Sequence, residues 1–359
     1  MADLRQQAET NLAWWRRENN VPLVKNWFPE KSPCGGLDID VPVSEIAERK
    51  LRNAEAQHQS VALQDSVITA GVNFATALYP AAAGAAYKVD RHTSWTVPTA
   101  TRAKDVRIDR FDPGQELYAA YITRMEAVLA HWSWDTYLPV ICGHDGPGDI
   151  LAGFLGPEVL CLEMYESPDD VKAAIEAATD FMCDAIAFER TLFESAGAID
   201  GGMATTFNTY QPGWCAVFVE DFTALIGPEH YAEFFLEADR RIIEQFDSVL
   251  FHTHSAGHKN IAEMLKLPRS TAFEFGNDPG GPDVAQRIEV VQSILADERP
   301  TTFGSWNIPL PVEDIDRIVE ALPAQGLDVR FQCGSAEEAR DVYARIKDSA
   351  PTDTKNRAE

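Results

Sequence analysis

The sequence lacks the features that mark several broad classes of protein. No apolar run approaches the roughly 18 residues that a membrane-spanning helix needs. The first residues, MADLRQQAET, show no basic-then-apolar targeting signal, which predicts a cytoplasmic protein. Six cysteines are scattered without close pairs, so we expect free thiols and no disulfide framework.

Positive charge is also scarce. Lys and Arg number 31 against 56 Asp and Glu, which gives a formal net charge of −25. Such a field repels the phosphates of nucleic acids and anionic membrane surfaces, so neither is an expected partner. The expected partners are a small-molecule substrate, another protein, and a second copy of the chain in a homodimer.

Three familiar motifs are missing as well. No G-x-G-x-x-G follows an early strand, which argues against a dinucleotide-binding fold. The glycine-rich stretch GHDGPG at 143–148 lacks the Lys-Ser/Thr of a P-loop, so it is interpreted as a turn that faces a ligand. No G-x-S-x-G is present, which argues against a serine hydrolase of that type.

The chain does show a regular alternation of strand and helix patterns. Short apolar runs predict strands at 67–69, 137–142, 198–203, 249–251, 271–275, 301–304 and 327–332. Between and after them, helices are predicted at about 113–132, 168–196, 228–246, 259–267, 282–297, 312–322 and 335–347. This alternation favours a parallel sheet with helical crossovers.

The pattern and the length predict an α/β fold, a (β/α)₈ TIM barrel with an N-terminal helical extension. The extension covers residues 1–60 and carries helical patterns at 4–19 and 43–60. The barrel is the catalytic domain and covers 61–348. A polar tail occupies 349–359.

A His-x-His pair stands at the end of a late strand. Because residues i and i+2 of a strand point to the same side, His252 and His254 can direct both imidazoles at one ion. Cys333, after the last strand, adds a thiolate. Zinc accepts this N₂S set and keeps a fourth position open, whereas magnesium and calcium prefer oxygen. The alternative is a pair of histidines that line a cleft through hydrogen bonds, without a metal.

Other candidate residues follow strand ends, where barrel enzymes place their catalytic groups. Carboxylates can handle protons or orient a ligand histidine. The predicted catalytic residues are Glu274, Asp221 and Asn307. The predicted cofactor-binding residues are His144, Asp145, Asn208 and Trp306.

Four segments resemble the uroporphyrinogen decarboxylase superfamily, and within it the cobalamin-dependent methyltransferases. They are GPEVLCLEMYESPDDVKAAIEAA (156–178), VEDFTALIGPEHYAEFFLEADRRIIE (219–244), the strand that ends in His252, and GLDVRFQCGSAEEARDVYARI (326–346). The resemblance covers about residues 60–347 and implies the same barrel fold.

The resemblance also implies a chemistry. Methyltransferases of this family bind zinc through a His-x-Cys pair and a later Cys near the last strand. Zinc holds a thiol as thiolate and directs it at a methyl group on a cobalamin that a partner corrinoid protein carries, while relatives run the reverse half-reaction. The expected cofactors are therefore zinc and cobalamin, the latter on the partner.

This sequence departs from the family pattern at one ligand. With His252 aligned to the family histidine, His254 stands where the first cysteine is expected. With HSAG (254–257) aligned instead, Ala256 takes that place and the site is abolished. The first register fits the strand geometry and Cys333. A zinc ion with one thiolate fewer is more electrophilic, which favours an oxygen or nitrogen donor.

The principal hypothesis is zinc-dependent methyl transfer between a small methyl donor or thiol acceptor and a corrinoid. The alternative is a metal-free lyase or decarboxylase that acts on a small carboxylated substrate, with the histidines as acid and base. A third hypothesis is a corrinoid-binding or regulatory homologue without chemistry, which only Ala256 supports.

Overall fold

The computed structural model describes residues 3–27, 36–60, 64–305 and 309–348. The helices are α1 (Leu4–Trp15), α2 (Val43–Ser60), α3 (Leu78–Ala82), α4 (Glu116–Leu129), α5 (Pro147–Leu155), α6 (Pro157–Glu166), α7 (Pro168–Ser195), α8 (Pro228–His230), α9 (Leu236–Ile243), α10 (Ile261–Met264), α11 (Val284–Ala296), α12 (Ile315–Ala321) and α13 (Ala336–Asp348). The strands are β1 (Leu23–Trp27), β2 (Thr69–Ala70), β3 (Ala86–Val89), β4 (Ser94–Val97), β5 (Leu138–Pro139), β6 (His144–Asp145), β7 (Gly202–Ala204), β8 (Tyr210–Pro212), β9 (Cys215–Val219), β10 (Ser248–Thr253), β11 (Thr271–Phe275), β12 (Thr301–Phe303), β13 (Leu310–Pro311) and β14 (Leu327–Gln332).

A parallel sheet forms the centre of the fold. Its strands run in the order β1-β14-β12-β11-β10-β9-β6, and β13 also pairs with β14. Every pairing in this sheet is parallel. Val249, Leu250 and Phe251 of β10 are fully buried, as expected for a strand that is covered on both faces. The predicted mixed α/β architecture with a parallel sheet is confirmed.

The predicted closed barrel is not found among the described residues. There the main sheet ends at β1 and β6, and β2 forms a separate parallel pair with β5. One physical reason is Pro139 in β5, which has no N–H to donate to a ladder. Between β1 and β2, the N–H of Asp65 donates to the carbonyl of Val24 at 2.9 Å.

The N-terminal segment contributes to the sheet. The helices predicted at 4–19 and 43–60 correspond to α1 and α2, and between them lies β1, which was not predicted. β1 pairs with β14, and the indole N–H of Trp14 donates to the carbonyl of Gly326 at 2.8 Å. β1 could not be predicted, because its apolar run is short and prolines and glycines surround it. The predicted tail at 349–359 lies outside the described residues.

The longest helix, α7, shows clear start and stop signals. Pro168 occupies its first turn with Asp169 and Asp170, which interact favourably with the positive end of the helix dipole. Gly197 follows its end with φ +62°, the left-handed conformation that terminates many helices. The helix predicted at 168–196 is thereby confirmed. None of the described helices combines the length and apolarity needed to cross a membrane.

A small apolar cluster lies on the inner face of the sheet. It contains Trp14, Leu23, Phe207, Val217, Leu250 and Ala272. Leu250 and His252 share one face of β10, and Ala272 and Glu274 share one face of β11. Along these strands, Leu250 and Ala272 of this inner cluster therefore lie two residues before the polar residues His252 and Glu274.

Candidate metal centre

The predicted histidine pair lies at the carboxyl end of β10. His252 pairs with Val219 of β9 on one side and with Glu274 of β11 on the other. His254 follows the strand directly and is half-buried. The two imidazole rings lie 4.9 Å apart, centroid to centroid. The structure thus brings His252 and His254 together on one side of the strand end.

Asp221 completes a group of three ligand atoms. Its Oδ1 lies 3.2 Å from Nε2 of His254 and 3.8 Å from Nε2 of His252. All three ligand atoms lie within 4.8 Å of one another, and no other such group of His, Cys, Asp or Glu was found in the described part of the chain. For comparison, a tetrahedral zinc ion with bonds of about 2.05 Å separates its ligand atoms by about 3.3 Å.

Both histidines are oriented by a second carboxylate. Nδ1 of His252 is hydrogen-bonded to Oε2 of Glu274, which is fully buried. Nδ1 of His254 lies 2.7 Å from Oδ1 of Asp278. Asp278 in turn accepts from the N–H and the hydroxyl of Ser255 at 2.5 Å and 2.8 Å. Metal-binding histidines almost always use their outer nitrogen in this way.

The carboxylates dominate the electrostatics of both rings. Hydrogen bonds to Asp221 and then to Asp278 raise the pKa of His254 to about 10. Burial alone would lower the pKa of His252, but the charge and the hydrogen bond of Glu274 outweigh it and raise the pKa. In the metal-free protein the rings therefore favour a positive charge between the carboxylates. A divalent cation held by Asp221, His252 and His254 would supply positive charge at the same place.

A short helical turn places Asp221. The turn covers Asp221–Leu225 and begins two residues after β9. The carboxylate of Asp149, in the first turn of α5, accepts from the N–H groups of Asp221 and Phe222 at 2.8 Å and 2.9 Å. Asp149 therefore fixes the backbone at the proposed ligand. Neither Asp149 nor Asp278 was singled out from the sequence, because Asp149 reads as an ordinary acidic residue of a helix first turn and Asp278 lies in a connection without periodicity.

Cys333 lies elsewhere. Its side chain is fully buried in an apolar cluster that also contains Ala339, Val342 and Ile346 of α13. Its Sγ contacts Oδ1 of Asn26 at 3.5 Å, and burial raises the pKa of the thiol to about 12. The structure brings Asp221, and not Cys333, to the two histidines. Strand spacing alone could not tell on which side of β14 the thiol points.

His144 belongs to a buried polar network. Its Nε2 lies 2.6 Å from Oε2 of Glu189, and Oε1 of Glu189 accepts from the hydroxyls of Tyr79 and Tyr118 at 2.9 Å and 2.7 Å. The imidazole also stacks on the Tyr79 ring at 5.2 Å. His144 is fully buried, and its side chain contacts Glu189, Tyr79 and Phe246.

The other predicted cofactor-binding residues have separate positions. Asn208 lies in a turn after β7, and its amide donates to the carbonyl of Val67 and to the hydroxyl of Thr69 at 3.1 Å and 2.9 Å. Asp145 is half-buried at the end of β6, where it pairs with Val219. Burial and then the charge of Asp221 raise the pKa of Asp145. Trp306 and Asn307 lie outside the described residues.

A cavity of about 440 Å³ lies near the carboxyl ends of β6 and β9. Its wall includes Arg49 and Lys50 of α2, Tyr79, Asp145 and Val219. Val219 pairs with His252 in the sheet, so the cavity wall adjoins the strand that carries His252, while the three candidate ligands are not among the residues that line the cavity. The volume lies in the range of sites for small molecules.

The arrangement of strands and helices has a counterpart among solved structures. A methyltransferase from Methanosarcina mazei has a TM-score of 0.61, and the match covers 95% of this chain and 98% of that chain at 12% sequence identity. The chain has a methyltransferase-like fold. At this level of identity the likeness concerns the fold alone. No protein-family model and no curated protein sequence matches the chain.

Removal of an orienting carboxylate is expected to weaken metal binding. Asp278→Asn keeps the shape of the side chain but removes the charge that holds Nδ1 of His254, so we expect zinc affinity to fall about 10- to 100-fold. Competition with a chromophoric chelator measures this affinity. The matched control is Asp316→Asn, which changes an exposed partner of Arg345. Equal affinities of the two variants would contradict the role of Asp278.

Proposed function

We propose that the chain is a metal-dependent methyltransferase, and that Asp221, His252 and His254 hold a zinc ion. The observation that carries the proposal is the convergence of two Nε2 atoms and one carboxylate oxygen, with each Nδ1 occupied by another carboxylate. Three protein ligands with an open position are typical of catalytic zinc. The fold shared with a methyltransferase supports methyl transfer as the reaction.

We also propose that the strands of the main sheet from β6 to β14 are part of a (β/α)₈ barrel, with residues 61–348 as its catalytic domain and 1–60 as an extension that pairs β1 with β14. The parallel pair of β2 and β5 supports this architecture, as does the hydrogen bond between Asp65 and Val24. The hydrogen bond links the β1 end of the main sheet to the segment that leads into β2. The barrel interior would then carry the inner cluster below the metal centre.

The donor set defines what the site can do chemically. When bound, zinc supplies Lewis acidity, which lowers the pKa of a coordinated group or makes a donor heteroatom a better leaving group. The protein contributes one negative charge, from Asp221, and no thiolate. This set favours a substrate with an oxygen or nitrogen donor atom over one that needs a thiolate-rich zinc.

The surrounding residues have distinct roles in the proposal. Glu274 and Asp278 hold the two imidazoles in place, so Glu274 orients a ligand and does not exchange protons with the substrate. Burial raises the pKa of Asp145, a carboxyl group in the cavity wall, which favours its protonated form. That proton can pass to the heteroatom of the substrate as its bond to the methyl carbon breaks. The cavity holds the substrate.

The methyl carrier in this proposal is a cobalamin on a partner corrinoid protein. Its support is the sequence resemblance to the cobalamin-dependent branch. A homodimer is proposed as the assembly.

The metal-free lyase is the competing function. It requires a histidine that gains and loses a proton near neutral pH. Both nitrogens of His254 contact carboxylates, and its pKa of about 10 keeps it protonated at that pH. The same contacts suit a ligand histidine, since a metal ion can replace the proton. The geometry therefore favours the metal-dependent reaction.

The test is a methyl-transfer assay on untagged protein of known metal content. Zinc-loaded protein is incubated with reduced cobalamin and a panel of methylated amines and methyl ethers, and the visible spectrum of the cobalamin reports its methylation. We expect transfer from at least one donor, and its loss after chelation and in His254→Ala. Transfer that survives complete removal of metal would contradict the proposal, as would protein that binds no zinc, cobalt or iron.

A further inference from the structure

A rigid turn lies next to the candidate metal centre. It covers residues 205–209, between β7 and β8. The hydroxyls of Thr205 and Thr209 lie 2.7 Å apart, and the N–H of Thr205 donates to the carbonyl of Thr209 at 2.8 Å. Asn208 has φ +57°, a left-handed conformation that Asn tolerates better than most residues. The amide of Asn208 ties the turn to the region of β2.

This turn places an aromatic ring against His252. Phe207 is 5% exposed and belongs to the inner cluster. Its ring centroid lies 5.5 Å from that of the His252 imidazole, with 33° between the planes. The hydrogen bond to Glu274 holds one atom of the imidazole but leaves rotation about that contact. Contact with a flat ring removes this freedom and sets the direction of Nε2.

Arg330 of β14 contacts Phe207 on another side. Its guanidinium carbon lies 5.4 Å from the centroid of the Phe207 ring, a cation–π distance, and its Nη2 donates to the Phe207 carbonyl. Arg330 is itself buried and lies 3.6 Å from Asp328. Phe207 is therefore held between a fixed cation and the candidate ligand.

We propose that Phe207 is a positioning residue for the metal centre, and that the 205–209 turn with Arg330 behind it fixes the plane of the His252 ring. This inference rests on the proposed function, since it concerns a ligand of the proposed metal. It predicts that metal geometry depends on the flat aromatic ring at position 207. A side chain of similar volume without that ring should not replace it.

The test uses cobalt(II) as a spectroscopic probe of the full chain. Phe207→Met keeps most of the volume but removes the flat ring, and Phe207→Tyr restores it. The matched control is Phe193→Met, because Phe193 is also buried and its ring packs on Trp214. Cobalt titrations followed by visible absorption report both the affinity and the ligand geometry. Circular dichroism first establishes that each variant is folded, and Phe207→Leu replaces Phe207→Met if the latter is not.

We expect Phe207→Met to weaken cobalt affinity about 10- to 100-fold, the range for loss of an orienting partner, and to shift the visible bands. Phe207→Tyr should retain affinity and spectrum, and Phe193→Met should change neither. Unchanged affinity and bands in Phe207→Met would overturn the role of Phe207 while the metal site stands. Wild-type protein that binds no cobalt would overturn the metal site itself and this inference with it.

Discussion

Asp221→Ala is expected to lower zinc affinity by more than about 100-fold, whereas Cys333→Ser is expected to leave it unchanged. Asp221 supplies a carboxylate oxygen that lies near both Nε2 atoms. Its loss removes a direct ligand, which must cost more than the 10- to 100-fold effect of an orienting partner. The Cys333 thiol is buried against Asn26 and α13, and its raised pKa keeps it protonated.

Zinc affinity for this comparison is measured by competition with a chromophoric chelator at neutral pH. Asp180→Ala is the matched control, because Asp180 of α7 is exposed and forms an ion pair with Arg241 of α9. The control should bind zinc like the wild type. The opposite pattern, with zinc lost in Cys333→Ser and kept in Asp221→Ala, would show that the thiolate site inferred from the sequence is the true one.

Glu189→Ala is expected to lower the free energy of unfolding by about 3 kcal/mol or more, because it removes the acceptor of three buried hydrogen bonds. Glu189 is fully buried and accepts from His144, Tyr79 and Tyr118. Its removal leaves three buried donors without their acceptor. Each unsatisfied donor costs about 1–3 kcal/mol, so even partial compensation leaves a large loss.

Guanidinium denaturation followed by circular dichroism measures this loss. Glu194→Ala is the control on the same helix, where an exposed glutamate pairs with Arg190. A surface change of this kind should stay within about 0.5 kcal/mol of the wild type. A Glu189→Ala variant as stable as Glu194→Ala would contradict the structural role of the network and reopen a ligand-binding role for His144.

Local structure in the second half of the chain could be predicted from the sequence. The strands at 271–275 and 327–332 match β11 and β14, because apolar runs between turn residues leave few alternatives. β1 could not be predicted, since five residues among prolines and glycines carry little periodicity. The sequence also predicted a closed barrel that the described residues do not show, because closure depends on contacts between distant segments, such as that of Asp65 with Val24, which a periodic pattern does not encode.

The candidate site was predictable only in part. The two-residue period of a strand was enough to predict that His252 and His254 point to the same side. The position of the third ligand depends on a contact between distant segments. Asp149 at the start of α5 holds the turn that carries Asp221. Phe207 gave no signal, since its contact with His252 arises from a turn 45 residues earlier in the sequence.

X-ray absorption at the zinc edge tests the central claim most directly. If Asp221, His252 and His254 hold the ion, zinc-loaded protein will show only nitrogen and oxygen neighbours at about 2.0–2.1 Å, with the outer scattering of two imidazoles. A sulfur neighbour at about 2.3 Å, or protein that takes up no stoichiometric zinc, would contradict it.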